Sequence, residues 1–302
     1  MNGNEEERMS KIAILCDSCC DIPQELAEKY GIDIMGFHIL LDGVDYIERE
    51  NCTFTEFYDL MRKAEGVPST AAITPMQFCA KYCEYVDKGY TDVIHVPINR
   101  SASSTYNNAL LAQDLLREER PEHHMRIHLL DPHTYSMPFG WNVCEMARKL
   151  QNGAEINHVI DEFNDKMARI EIILGPYSLK QMKKSGRISA AAAFAGELLG
   201  LRPIITLIDG KTKVENKVRG DDKVIPAMLA LCEKRTAELG GLENVEYMIG
   251  HTCIAQKDEL VKACRKAFGH EPLIVFPLGG VVSANTGPDT LALVYVGKRR
   301  EG

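Results

Sequence analysis

IHVPINRSASSTYNNALLAQDLL, residues 94–116, is where an apolar run hands over to a helical pattern, and four hydroxyls crowd the junction: Ser101, Ser103, Ser104 and Thr105. The preceding TDVIHVPI (91–98) reads as a buried strand, so the whole stretch is strand, polar turn, helix. One hydroxyl suffices to cap a helix. The surplus points to an anion, because hydroxyls, free backbone N–H groups and the helix dipole converge at such a junction and suit a phosphate or carboxylate.

Working outward, the same alternation repeats. KIAILC (11–16) reads as a strand, and in the DSCCDIPQELAEKYG that follows, Asp21 is placed to cap a helix with Pro23 in its first turn. IDIMGFHILLDG (32–43) reads as a second strand ending in a turn, TFTEFYDLMRKAEG (53–66) as a helix opened by Thr53 or Thr55, and MRIHLLD (125–131) as a fourth strand. Between residues 11 and 150 this predicts a parallel sheet covered by helices on both faces, a three-layer α/β/α domain. Its ligand edge lies at the carboxyl ends of the strands, where Asp17, Ser18, Asn99 to Ser104 and Asp131 fall.

The second half has shorter strands. RIEIILGP (169–176) reads as a strand and KSGRISAAAAFAGELLGLRP (184–203) as a small-residue helix capped by Ser189. Strands at 204–208 and 212–218 flank the hairpin signal Asp209-Gly210, and a helix at 221–239, a strand at 245–251, a helix at 256–268 and strands near 273–276 and 291–297 follow. The prediction is an α/β protein of two domains, 1–168 with the parallel sheet and 169–302 as a two-layer domain with a mixed sheet.

A chain of 302 residues with 45% apolar and 26% charged residues builds a real core. The net charge of −8 leaves no basic surplus for phosphates, so no nucleic-acid partner is expected. No run of eighteen apolar residues spans a bilayer. Ten cysteines without a secretory h-region read as reduced thiols, which places the chain in the cytoplasm. Neither half offers a heptad or a long unpaired apolar edge, so a monomer is expected.

Other motifs carry less. CDSC (16–19) has C-x-x-C spacing but reads as a strand-to-helix turn in which Asp17 and Ser18 satisfy free amides. His123, His124, His128 and His133 lack the spacing of a helical metal pair and read as loop histidines. No Walker-type or dinucleotide-type glycine loop is present, so no cofactor is expected. A second hydroxyl source is PSTAAITP (68–75), a loop between helices that can bring Ser69, Thr70 and Thr74 to the same edge.

DSCCDIP, VPSTAAITP, SASSTY, KKSGRIS with its alanine-rich helix and RPII, KVRG (217–220) and NTGP (285–288) together resemble the DegV family, also called the FakB type of fatty-acid-binding protein. The resemblance runs from residue 11 to 297 with the motifs in family order. It implies two domains holding one long-chain fatty acid, such as palmitate, in a tunnel between them, with the carboxylate presented to a separate kinase subunit. The family's carboxylate-binding threonine falls on Thr70 and its serine on Ser103. Ser104 stands where the family has glycine, and Asn285 where it has a histidine that helps at the head group; Asn285 can donate to a carboxylate but cannot carry a proton. Arg187, in SGRIS, is implied to lie near the domain interface. Alanines 190–193 either leave room for the acyl chain or pack the helix closely on the sheet. The competing reading is a hydrolase or acyltransferase with Ser103 as nucleophile, which requires a nearby base that the sequence does not place.

Overall fold

The computed structural model describes residues 11–186, 189, 200–252 and 254–299. Four strands, β1 (Ile12–Asp17), β2 (Ile32–Met35), β6 (Asp92–Val96) and β7 (Arg126–Leu129), form a wholly parallel sheet in the order β2-β1-β6-β7. Alternation along β1 and β6 sends Ile14, Cys16, Ile94 and Val96 to one face, where they meet α5 (Met137–Gln151) and α6 (Ile156–Met167) through Met137, Val143 and Phe163. Ala13, Leu15 and Val93 face the other way, onto Phe78 and Tyr82 of α3 (Pro75–Asp87) and Ala109 and Leu116 of α4 (Thr105–Glu119). Both faces are buried, as a parallel sheet requires, and the three-layer reading holds.

The mixed sheet has the order β10-β9-β8-β13-β11-β12, from β8 (Ile170–Pro176), β9 (Leu201–Ile208), β10 (Lys211–Arg219), β11 (Tyr247–His251), β12 (Val275–Pro277) and β13 (Thr290–Val296). Ile173, Ile249, Leu291 and Leu293 pack against α8 (Val224–Thr236) and α9 (Ile254–Phe268). Ile172, Leu174, Leu207, Ala292 and Val294, on the opposite face, join the core of the first half. The Asp209-Gly210 turn is left-handed at both residues, φ 50 and 70, as the sequence signal predicts.

Several local expectations are corrected. Residues 32–43 are not one strand: β2 ends at Met35, and the antiparallel hairpin β3 (His38–Leu41) and β4 (Val44–Ile47) turns at Asp42-Gly43. The loop at 68–75 contains β5 (Ser69–Ala71), which pairs with β3 and completes a three-stranded sheet. Asp21 does not cap α1 (Gln24–Tyr30), whose N-cap is Pro23; at φ 53 it instead ends a 3-10 turn over Ser18–Cys20. Thr53 does cap α2 (Phe54–Lys63), in a reciprocal box with Glu56. Two short helices, α7 (Lys180–Ser185) and α10 (Gly280–Thr286), fall where no periodicity announces one. Apart from Ser189 and residues from 200 onward, the helix expected at 184–203 lies outside the described residues beyond Gly186, as does Arg187.

Candidate functional site

Between β6 and α4 the chain turns over Asn99, whose buried Oδ1 accepts the Ser101 amide at 2.8 Å. Ser103 Oγ lies 2.7 Å from Thr105 Oγ1 and accepts the Thr105 amide at 3.3 Å. Ser103 therefore serves the first turn of α4, a role the sequence pointed toward Ser104 or Thr105; Ser104 makes no side-chain cap bond and Thr105 is fully buried. The Ser103 hydroxyl has one proton and two lone pairs; when the Thr105 hydroxyl donates to it, its own proton can go to a ligand. Ser101 is exposed and outside the cavity described next.

Thr70 is held by pairing with Ile39 across β5 and β3. Asn108 of α4 donates to Ile73 O at 2.7 Å, which ties the start of α4 to the chain after β5 and brings Thr70 beside Ser103. Thr74 is spent on capping α3 with Gln77, and Ser69 is exposed, so of the three hydroxyls in that stretch only Thr70 faces the cavity. Asn285 arrives on α10, which packs against β5. Its Nδ2 donates to Val281 O at 2.8 Å, leaving a second N–H and Oδ1 for a ligand.

Thr70, Ser103, Ser104 and Asn285 line one cavity of about 210 Å³, many times the ~10–15 Å³ that one water needs. Its walls are apolar: Phe37, Ile98, Tyr135 and Pro138 from the first half, and Ile172, Leu174, Leu207, Phe276, Ala292 and Val294 from the mixed sheet. Gly250 shapes that wall, because a Cβ there would lie 2.9 Å from Phe276 Cζ; its absence lets the ring lie on the sheet. No charged side chain lines the cavity among the described residues. It fits a long apolar ligand with one small polar group.

Two lining Ser and Thr hydroxyls escaped the sequence. Thr286 Oγ1 is buried and has no partner, which in a well-packed protein marks a hydroxyl waiting for a ligand or water. The signal was there, since Thr286 adjoins Asn285 in NTGP. Ser136 sits at φ 64 and ψ −158, a region non-glycine residues rarely adopt, and is held there by its amide on Cys19 O and its hydroxyl on Asp21.

Behind the wall lie three buried carboxyls. Asp17 accepts the Cys19 and Ile98 amides at 3.0 and 2.6 Å, yet burial pushes its pKa up to about 7. Asp21 accepts from Ser136 Oγ and from the Gly279 amide at 2.9 Å, and Glu48 accepts the Val281 amide at 3.0 Å. Burial raises both, and for Asp21 the Glu48 charge adds to it. Cys16 and Cys19 are buried and their thiols are raised by burial, the opposite of what a reactive thiolate needs. Of the histidines, His128 contacts Asp92 at 2.9 Å and His133 contacts Asp209 at 2.8 Å; no cluster suited to a metal occurs among the described residues. The nucleophile reading finds no base: Ser103 pairs with Thr105, and no His, Asp or Glu lines the cavity among the described residues.

The fold and site define a protein with an apolar cavity between two α/β halves. A family model described as an uncharacterised protein of the DegV family matches residues 11–298, and the chain belongs to the DegV family. A DegV domain-containing protein of Clostridium perfringens is 30% identical over 286 residues, covering 94% of this chain and 98% of that one. Among solved structures, a stearic acid-binding protein from Eubacterium ventriosum matches with a TM-score of 0.85 at 24% identity, over 96% of this chain and 99% of that one. A DegV family protein from Thermus thermophilus, described by its fatty acid binding, matches with a TM-score of 0.80 at 26% identity, over 95% and 100%. No helix among the described residues is long and apolar enough to cross a membrane.

Proposed function

We propose that this protein binds one long-chain fatty acid in the cavity between its halves, as a non-catalytic carrier in lipid transport or fatty-acid metabolism. The observation that carries this reading is an apolar cavity whose polar lining, among the described residues, is neutral hydroxyl and amide groups, in a family where similar structures are described as fatty-acid-binding. Thr70 and Ser103 hold the carboxylate, with Ser104, Asn285 and Thr286 beside them. Arg187 joins this site by the family resemblance and lies outside the described residues. Residues 1–168 form the unit that carries the hydroxyl loops, and residues 169–302 the unit that walls the acyl chain.

The tail supplies the affinity. A palmitate-sized chain buries about fourteen methylenes at roughly 0.8 kcal/mol each, a gross gain on the order of 10 kcal/mol. Each hydroxyl on the carboxylate adds only about 1.5–3 kcal/mol and fixes which end is held. Neutral donors grip less than a Lys or Arg would, which suits a head group that a separate kinase subunit must reach. The carrier works as a cytoplasmic monomer, meeting its kinase transiently.

Native mass spectrometry of the purified protein, followed by solvent extraction, tests this. A stoichiometric C14 to C18 acid is expected. A protein that carries none and is saturated by none refutes the reading.

A further inference from the structure

The buried carboxyls of Asp21 and Glu48 take no part in the binding just described, yet they hold one wall of the cavity. Asp21 follows the first strand and Glu48 follows β4, but both turn their oxygens onto the chain entering α10, in the other half of the molecule. Asp21 Oδ2 accepts the Gly279 amide at 2.9 Å and Glu48 Oε1 accepts the Val281 amide at 3.0 Å. The acids are also neighbours: Asp21 Oδ1 and Glu48 Oε1 lie 2.0 and 2.8 Å from the point a Cβ on Gly279 would occupy, so the two oxygens are less than 5 Å apart. Any side chain at Gly279 would displace one or both acids.

Each acid keeps one oxygen, Asp21 Oδ1 and Glu48 Oε2, that is buried and has no hydrogen-bond partner. Two ionised carboxylates this close, out of water, repel strongly, and the usual resolution is that one keeps its proton and donates it to the other. Burial raises both acids, and the Glu48 charge raises Asp21 further, against the donors that hold their other oxygens. From α5 comes the Ser136 hydroxyl and from the α10 side come amides, all donors. From β1 and the 3-10 turn come Asp17, Ser18 and Cys19, and from α2 comes Tyr58, whose hydroxyl is committed to Leu278 O. The Arg49 guanidinium acts on both acids, and it is bound to Ile22 O at 2.5 Å and Gln24 Oε1 at 3.0 Å.

We infer that Asp21 and Glu48 share one proton and act together as a positioning pair for α10, so that the seating of this cavity wall, and with it ligand retention, follows the protonation of the pair. α10 is the element through which this acts, because Val281, Val282, Asn285 and Thr286 all line the cavity. With the proton in place, one carboxyl O–H donates to the other carboxylate, the pair carries one negative charge, and both backbone amides stay satisfied. Its loss leaves two negative charges facing each other beneath α10, and the repulsion loosens the wall. The coupling to retention rests on the fatty-acid reading; the shared proton does not.

Two measurements separate these. Infrared difference spectra of ligand-free protein should show a protonated carboxyl C=O band that disappears in Asp21→Asn and in Glu48→Gln. Affinity for a fluorescent fatty acid, followed from about pH 6 to about pH 9, should fall by up to about tenfold per pH unit once the pair loses its proton. Either variant, permanently supplied with an N–H donor, should flatten that slope, and Glu48→Gln serves if Asp21→Asn does not fold. A missing band overturns the shared proton, and a pH slope that persists unchanged in the variants overturns the coupling. Absence of any fatty-acid binding overturns both the carrier reading and the coupling, while the band still decides the proton.

Discussion

Replacing both Thr70 and Ser103 with alanine removes the two hydroxyls assigned to the carboxylate, and the structure sets the size of the effect. A hydroxyl donating to a charged group contributes about 1.5–3 kcal/mol, so each single variant should weaken binding by roughly 10-fold to 150-fold. The double variant should lose a few kcal/mol and fall short of the sum, because both hydroxyls serve one head group. The tail's gross contribution, on the order of 10 kcal/mol, is untouched, so binding weakens without vanishing. Stability should change little. Ser103 gives up its bond from the Thr105 amide, worth about 0.5–2 kcal/mol as a helix cap, and Thr70 sits on a three-residue strand. A domain with about 5–15 kcal/mol in hand tolerates that. The assay is a double-mutant cycle by calorimetric titration with palmitate, alongside thermal melts of the ligand-free proteins. Affinity within about twofold of wild type in the double variant refutes the head-group assignment, and so does strict additivity of the two single losses.

Two further outcomes are expected. Asn285→Ala should weaken binding by about 1 kcal/mol, roughly fivefold by titration, because it removes a neutral donor; an unchanged constant would take Asn285 out of the site. His95 is fully buried, its Nδ1 is 2.7 Å from Tyr82 OH, and burial holds its pKa down to about 3. The unfolded chain binds that proton near the ordinary value of about 6.5, so the stability from neutral His95 is complete above 6.5 and drains as pH falls toward 3. In urea titrations the gap between wild type and His95→Asn should therefore widen in favour of wild type by about 1.4 kcal/mol per pH unit through that window and level off above it. A gap that does not vary with pH would refute it.

The parallel sheet was legible because Ile14, Cys16, Ile94 and Val96 alternate with Ala13, Leu15 and Val93 in short apolar runs that end at turn residues. The small antiparallel sheet was not. VDYI is half exposed and β5 is the three residues STA, weak in strand propensity, so both depend on partners that the sequence does not mark. The Asp42-Gly43 turn, left-handed at φ 48 and 83, was the available clue. Helix α10 was hidden for the same reason: GVVSANT begins with glycine and has three β-branched residues, and its entry is held by Asp21 and Glu48 from more than two hundred positions away. Thr70, Ser103 and Asn285 were reached through family motifs. Their meeting in one cavity depends on the Asn108 tie and the seating of α10, both long-range contacts.

The order of the mixed sheet carries a consequence for how the protein is made. Its last strand in sequence, β13, lies in the middle, between β8 and β11. Until residues 290–296 have been synthesised, the β8 to β10 meander and the β11–β12 pair are two fragments with open edges and nothing to join them. Ala292 and Val294 of this keystone strand also face the cavity. The growing chain therefore gains a finished sheet and a closed cavity together, once β13 has emerged, and a product that stops before residue 290 has neither.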